Sequence, residues 1–423
     1  MPLSLLSNKE CRFVVFLLLL LIVSALLHHH GQGQRATNAI HRHGPQQSPQ
    51  GDRSLLSPME QAYVEIPTAA GARRSLHYIT SQPHVAGTPG DFYMAEYVQQ
   101  EMQAAGIDNV EMYELAVLLN YPSQRPVVRL LTKSTNDKNE EEPTEVLFTA
   151  ALQEDLLDDT SDTTWRNHTF HGYAPSGNVK APLVFANYGR PADFAALERA
   201  GVNVQGCIVL IRYGQCFRGL KVRNAQQAGA VGVLIYSDPA QDGYNVGTTY
   251  PHGPWRPESG VQRGSVQFNS ACAGDPMRAD ARYAARGQNL TTLCGIAHYQ
   301  DWIPRIPSLP LSYGDARPLL ESLAGTPTAV QVFGSDFDGG LHGLNYTVGP
   351  SQDTVVHLHV QNHESISTIP NVIGYIPGSL PAELDMPVLL GNHRDAWYVL
   401  TRVYRRVVDQ YPCWSRQLIW RIV

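Results

Sequence analysis

Two unbroken apolar runs, CIVLIRY at 207–213 and GVLIYSD at 232–238, flank a helical stretch at 221–228, with Gly214 and Gly219 turning the chain between them. Runs of this length, rich in Val and Ile and bounded by turn residues, read as buried strands, so the local order is strand, helix, strand. A second region of the same kind opens near Asn371. There NVIGYI and PVLLGNH, separated by Pro377, Gly378 and Ser379, are expected to be short buried strands. The fold class is therefore α/β, with one α/β unit interrupting another. Ahead of both, Thr88 suits a helix N-cap, Pro89 the first helical position and Asp91 the positive end of the helix dipole. Met94, Val98, Met102 and Ala105 then recur at helical spacing, and Gly106 suits the C-terminal cap. These methionines read as packing residues, not metal ligands.

At 423 residues the chain exceeds what one hydrophobic core accommodates, so two or three domains are expected. A net charge of -6 gives no basic surface, which argues against nucleic acid as a partner. The run at 13–27, FVVFLLLLLIVSALL, carries no charge and follows Lys9 and Arg12. Its length falls between a signal-peptide core and a span of about 20 residues. No small-residue cleavage pattern follows Leu27, which favours a signal anchor over a cleaved signal peptide. Either way, the chain after His28 faces the lumen or the exterior, and an anchor makes it a single-pass type II membrane protein. Sequons headed by Asn167, Asn289 and Asn345 agree with that compartment as glycosylation sites. The 6 cysteines include no C-x-x-C pair and are too sparse for a disulfide scaffold, so isolated buried thiols are expected. Residues 28–58 are polar and rich in Gln, Gly, His and Pro, as in a flexible stalk, and the acidic stretches at 140–142 and 154–162 read as solvated loops.

Candidate chemistry concentrates at GNHRDAW, residues 391–397, directly after the apolar run 388–390. Ligand sites in open α/β sheets lie beyond the carboxyl ends of strands. There a neutral His393 suits zinc, and Asp395 suits a partner that holds an imidazole in orientation. Taken alone, an H-x-D triplet reads first as a structural histidine. His357 and His359 share one face of VVHLHV, which favours an exposed strand face over a chelate. The chain has no H-E-x-x-H, no G-x-S-x-G elbow, no Walker loop and no G-x-G-x-x-G after a strand, so serine-hydrolase, nucleotide-binding and Rossmann readings lose support.

The stretch YGQCFRGLKVRNAQQAGAVGVLIYSDPA at 213–240, followed in order by TYPHG, GVQRG, GDP, IPSLPLSY, NVIGYIPGS and LLGNHRDAW, resembles glutamate carboxypeptidase II and its plant relatives. PHVAGTPGD at 83–91 and VLLNYP at 117–122 extend the resemblance over most of residues 75–397. It implies an incomplete two-zinc peptidase domain of aminopeptidase/carboxypeptidase type, interrupted by an inserted protease-associated domain and carried on an N-terminal transmembrane anchor. The implied boundaries are a cytosolic tail at 1–12, the anchor at 13–27, the stalk at 28–58, peptidase segments at 59–152 and 336–397, the protease-associated domain at 153–335 and a divergent tail at 398–423. In such enzymes zinc-bound hydroxide attacks the peptide carbonyl while a glutamate serves as general base, and a basic pocket holds the substrate's C-terminal carboxylate.

By the same resemblance His393 corresponds to the first zinc ligand and Asp395 to its supporting aspartate. Phe217 and Arg218 correspond to the wall and guanidinium clamp of the glutamate pocket, a task that suits arginine's planar fork. Ser265 stands where a pocket asparagine is usual, and Arg278 and Ala281 replace two calcium contacts, which argues against that ion here. Val403 occupies the position of the zinc-bridging aspartate, and the remaining ligands and the dimerisation region have no counterpart. The complete form is expected to be a homodimer that releases acidic C-terminal residues from peptides with two zinc ions, and the chain as given is expected to be inactive. The alternatives are a membrane-anchored binding module built on the protease-associated domain and an aminopeptidase of the same two-zinc class.

Overall fold

The computed structural model describes residues 56–133, 145–157, 169–268, 299–378, 381, 386 and 388–397. The apolar run 13–27, the stalk up to residue 55, Asn167, Asn289, Arg278, Ala281 and the tail from 398 lie outside them. Among the described residues no helix is long and apolar enough to cross a membrane. The chain divides into two units, Met1–Tyr63 and Val64–Val423. Of the first, the described part is mainly the start of helix α1 (Pro58–Glu65), which buries no residue.

The second unit is built around the strands that the apolar runs foretell. Strands β6 (Leu183–Phe185), β7 (Ile208–Arg212), β8 (Gly232–Tyr236) and β10 (Ser308–Leu311) form a parallel sheet in the order β10-β8-β7-β6. Every residue of β7 and β8 is buried, which explains why both runs are apolar without alternation. Helices α4 (Pro191–Arg199), α5 (Arg218–Gln227) and α6 (Tyr313–Glu321) supply Phe194, Leu197, Val222, Ala225, Leu319 and Leu320 to the same core. A buried aliphatic side chain of this kind contributes roughly 1.5–3 kcal/mol.

An antiparallel sheet packs into that core, in the order β3 (Val146–Thr149), β2 (Val127–Thr132), β11 (Thr354–Val360), β5 (Gly177–Ala181). Val128, Leu130, Val356, Leu358 and Val360 join the core cluster, while His357 and His359 are only partly buried. The sheet thus draws strands from both sides of residues 152/153 and 335/336. At the end of the parallel sheet a buried polar cluster ties in the segment 336–346. Arg212 donates to the carbonyls of Asp336 and Asp338 and to Asn187. Asp238 lies 3.8 Å from Arg212 and accepts from Tyr236, Tyr346 and the amides of Ala240 and Gly340.

Helix α2 (Ala69–Ile79) is N-capped by the Thr68 hydroxyl. Helix α3 (Pro89–Ala104) begins at the expected residues, although the Thr88 hydroxyl donates to Val85 rather than capping. Its other end closes on Gly106, with Gly106 and Ile107 donating back to Gln103 and Met102. This helix packs on a ribbon of two antiparallel strands, β1 (Asn109–Pro122) and β12 (Asn362–Tyr375).

Here the sequence reading needs correction. Residues 371–375 belong to one long strand whose end is exposed, Ile376 lies just beyond it, and 388–390 form no strand, with Val388, Leu389 and Leu390 86%, 89% and 56% exposed. Burial of an apolar run requires a covering neighbour, and no described element covers this one. Glu154 is likewise not a solvated loop residue. It accepts from the Val261 amide and pairs with the buried Arg263 at 3.0 Å, because a guanidinium taken out of water needs a countercharge. Of the cysteines, Cys207 is buried, Cys216 half-buried, and both are free. The remaining cysteines lie outside the described residues.

Candidate functional site

Two groups of candidate residues lie on either side of a short strand, β4 (His171–Gly172), which pairs in parallel with β9 (Gly264–Ser265). The first group opens helix α5. Arg218 is its first residue, so its charge adds to the positive end of the helix dipole. Its Nε donates to the Ser265 carbonyl at 3.1 Å, and its guanidinium carbon lies 5.1 Å from the centre of the Phe217 ring. Gly264 makes this approach possible. It has φ +154°, and a Cβ there would collide with Cζ, Nη2 and Nε of Arg218. The terminal nitrogens of Arg218 hold no hydrogen bond to any described residue, which leaves the fork open for a planar anion. The Ser265 hydroxyl turns to the chain just after its strand and accepts from the Gln267 amide at 3.0 Å.

Beneath Arg218 lies His171, fully buried. The Tyr213 hydroxyl donates to the Gln262 carbonyl, so its oxygen is free to accept from His171 Nε2, 3.1 Å away, while Nδ1 accepts from the Ser308 hydroxyl at 3.1 Å. Burial first, and the Arg218 charge second, hold this imidazole well below its ordinary pKa, so it is neutral.

The second group is the loop 391–397. His393 Nδ1 lies 3.4 Å from Asp395 Oδ1, and the His393 side chain is 73% exposed, so Nε2 is open to solvent. The bond to Asp395 raises the His393 pKa. Burial pushes the Asp395 carboxyl up, but the His393 bond and charge, the Arg394 charge and its own backbone together hold it below the ordinary value. The loop is fastened by its neighbours rather than by regular structure. Arg394 Nη2 meets Asp91 Oδ1 at 2.6 Å and the Pro370 carbonyl at 2.8 Å, and Ala396 donates to the His84 carbonyl at 3.0 Å. Trp397 stacks edge-on against Phe170, with centroids 5.6 Å apart.

Asp91, Arg394 and the buried His84 were not singled out as site residues by sequence reasoning, which gave Asp91 only a helix-dipole role. The available signal was their place in PHVAGTPGD and GNHRDAW. Asn345, the one sequon asparagine among the described residues, is exposed.

A structural or catalytic zinc takes three or four protein donors. His393, with Nδ1 held by a carboxylate and Nε2 open, fits one such donor. Among the described residues no three His, Cys, Asp or Glu side chains are gathered to hold a metal. These residues fit one ligand and do not fit a zinc pair.

Residues 179–267 match the model of the PA domain. A glutamate carboxypeptidase 2 homolog of Caenorhabditis elegans is 34% identical over 331 residues, 77% of this chain and 41% of that protein. The probable glutamate carboxypeptidase LAMP1 of Arabidopsis thaliana is 38% identical over 330 residues, 78% and 43% of the two chains. The aminopeptidase NAALADL1 of Mus musculus is 33% identical over 345 residues, 78% and 43% of the two chains. A solved structure of a peptidase M28 precursor from Shewanella amazonensis aligns over 83% of this chain and 62% of its own, with a TM-score of 0.41 and 14% identity, too distant to weigh. The chain spans about two fifths of the length of the curated relatives it matches. Over the residues it shares with them, the chain is a relative of the glutamate carboxypeptidase family and carries a PA domain within the matching stretch.

Proposed function

We propose that these residues belong to a zinc-dependent exopeptidase that removes acidic residues from the C-terminus of peptides. The observation that supports this most directly is Arg218, anchored through Nε, backed by Phe217 and without a hydrogen bond from its terminal nitrogens among the described residues. Such a fork takes a carboxylate through two parallel hydrogen bonds. The zinc pair would supply a nucleophilic hydroxide and polarise the scissile carbonyl. His393 would be one of its ligands, held by Asp395. The other donors are absent from the described residues, and the resemblance puts Val403 where a bridging aspartate is needed. The chain as given is therefore proposed to bind acidic peptide termini without turning them over. By the same reading it is a single-pass type II protein glycosylated on its luminal or extracellular side, including at Asn345, and its complete form is a homodimer.

An aminopeptidase is the second reading, supported by the similarity to NAALADL1. A binding module centred on the PA domain is the third. Calorimetry with a dipeptide ending in glutamate, as free acid and as amide, separates them. The free acid should bind more tightly, and Arg218→Ala should weaken it by about 2–5 kcal/mol while leaving the amide unaffected. Equal affinity for acid and amide would sink the clamp and favour an aminopeptidase. Two tightly bound zinc ions with turnover abolished by His393→Ala would overturn the inactivity of the chain.

A further inference from the structure

Strand β4 touches both candidate groups, one through its backbone and the other through a missing side chain. On one side the Val266 amide donates to the Gly172 carbonyl at 2.9 Å, and Gly172 pairs with Ser265, whose own carbonyl holds Arg218 Nε. On the other, the Trp397 indole packs against Gly172, so that a Cβ built there would collide with Cη2 and Cζ3 at the edge of its six-membered ring. Trp397 follows Asp395 by two residues, and Ala396 between them is fixed to His84. Neither end of this chain of contacts is free to slip. His171, the other residue of β4, is held by Ser308 and Tyr213, and Phe170 braces the indole edge-on. Close-packed interiors transmit displacement because they have few voids to absorb it.

We infer that Trp397 is a positioning residue that couples the anion clamp at Arg218 to the His393 loop through Gly172. The inference rests on the reading of Arg218 as a carboxylate clamp for its ligand, but the mechanical link can be measured without one. A carboxylate that tightens the Arg218–Ser265 contact draws on β9 and therefore on β4, and the indole resting on β4 carries that shift to the residues just before it. Conversely, removing the indole leaves the Gly172–Val266 pairing open on one face.

The test uses the full chain, wild type, Trp397→Ala, Trp397→Phe and Gly172→Ala. Amide hydrogen exchange at Val266 should be about tenfold faster in Trp397→Ala and nearer wild type in Trp397→Phe, where a ring still covers Gly172. L-Glutamate should shift tryptophan emission in the wild type, lose most of that shift in Trp397→Phe, and bind about fivefold more weakly to Trp397→Ala. Gly172→Ala should perturb emission without ligand, and Trp397→Ala, which only removes atoms, keeps the test decisive if that variant fails to fold. Unchanged exchange at Val266 in Trp397→Ala would overturn the coupling. If calorimetry detects no glutamate binding to the wild type, the clamp reading fails while the exchange measurement still decides the mechanical link.

Discussion

One carboxylate of Asp91 does two things at once. Oδ2 accepts the Gly87 amide at 2.9 Å, closing the turn before helix α3, while Oδ1 holds Arg394 across 303 residues of sequence. Asp91 is 1% exposed and Arg394 14%, so the pair lies out of water, where removing one partner leaves the other charged and uncompensated. Asp91→Ala should therefore lower stability by about 3–5 kcal/mol, read as a fall in thermal midpoint, and free the loop that carries His393. A loss within 1 kcal/mol would show that water compensates the guanidinium. The sequence separation also explains why this pair was illegible. The motifs PHVAGTPGD and GNHRDAW each marked a place worth attention, but nothing in local spacing says that the two places meet. His393, Asp395 and Arg218 could be picked out because each sits in a short motif. Their surroundings, with the buried His171 beneath Arg218 and Trp397 over Gly172, depend on contacts that only the folded chain creates.

Among the elements, strands β7 and β8 were readable because both faces are buried, so an unbroken apolar run has one meaning. The runs at 371–376 and 388–390 are also largely apolar and have a different fate. Apolarity records a capacity for burial, whereas burial itself depends on a neighbour that the run does not encode. Val388, Leu389 and Leu390 consequently make little contribution to the stability of the described fold. Replacing all three by serine should shift the thermal midpoint by the equivalent of no more than about 0.5 kcal/mol per site. Light scattering on heating should fall, because an exposed apolar segment invites association. A cooperative loss of several kcal/mol would mean that this segment is covered in solution.

For the molecule as a whole, buried and partly buried imidazoles set the response to acid. Burial lowers the pKa of His84 and His357, and burial together with the Arg218 charge lowers that of His171. An unfolded histidine takes up a proton near pH 6.5, whereas these stay neutral in the folded state. Their contribution is thus complete above about pH 6.5 and is lost as pH falls below it. His393 has the opposite sign, stabilising below about pH 6.5 and losing that effect as pH rises through its raised value. At 73% exposure its weight is small. The thermal midpoint should drop between about pH 7.5 and 5.5, and His171→Gln should flatten that slope, so a midpoint indifferent to acid would refute the assignment. The antiparallel sheet has a consequence of another kind, in the order of events during synthesis. Strand β2 leaves the ribosome about 220 residues before β11, its partner in the register Leu131↔Val355. At roughly 5–20 residues per second that is an interval of about 10–45 s. Throughout it, the β2 edge that will pair with β11 is without its mate, and the insert between them must collapse before the sheet can close. The nascent chain therefore passes through a stage with a bare strand edge, the stage at which a chaperone or a second nascent chain has its opportunity to bind.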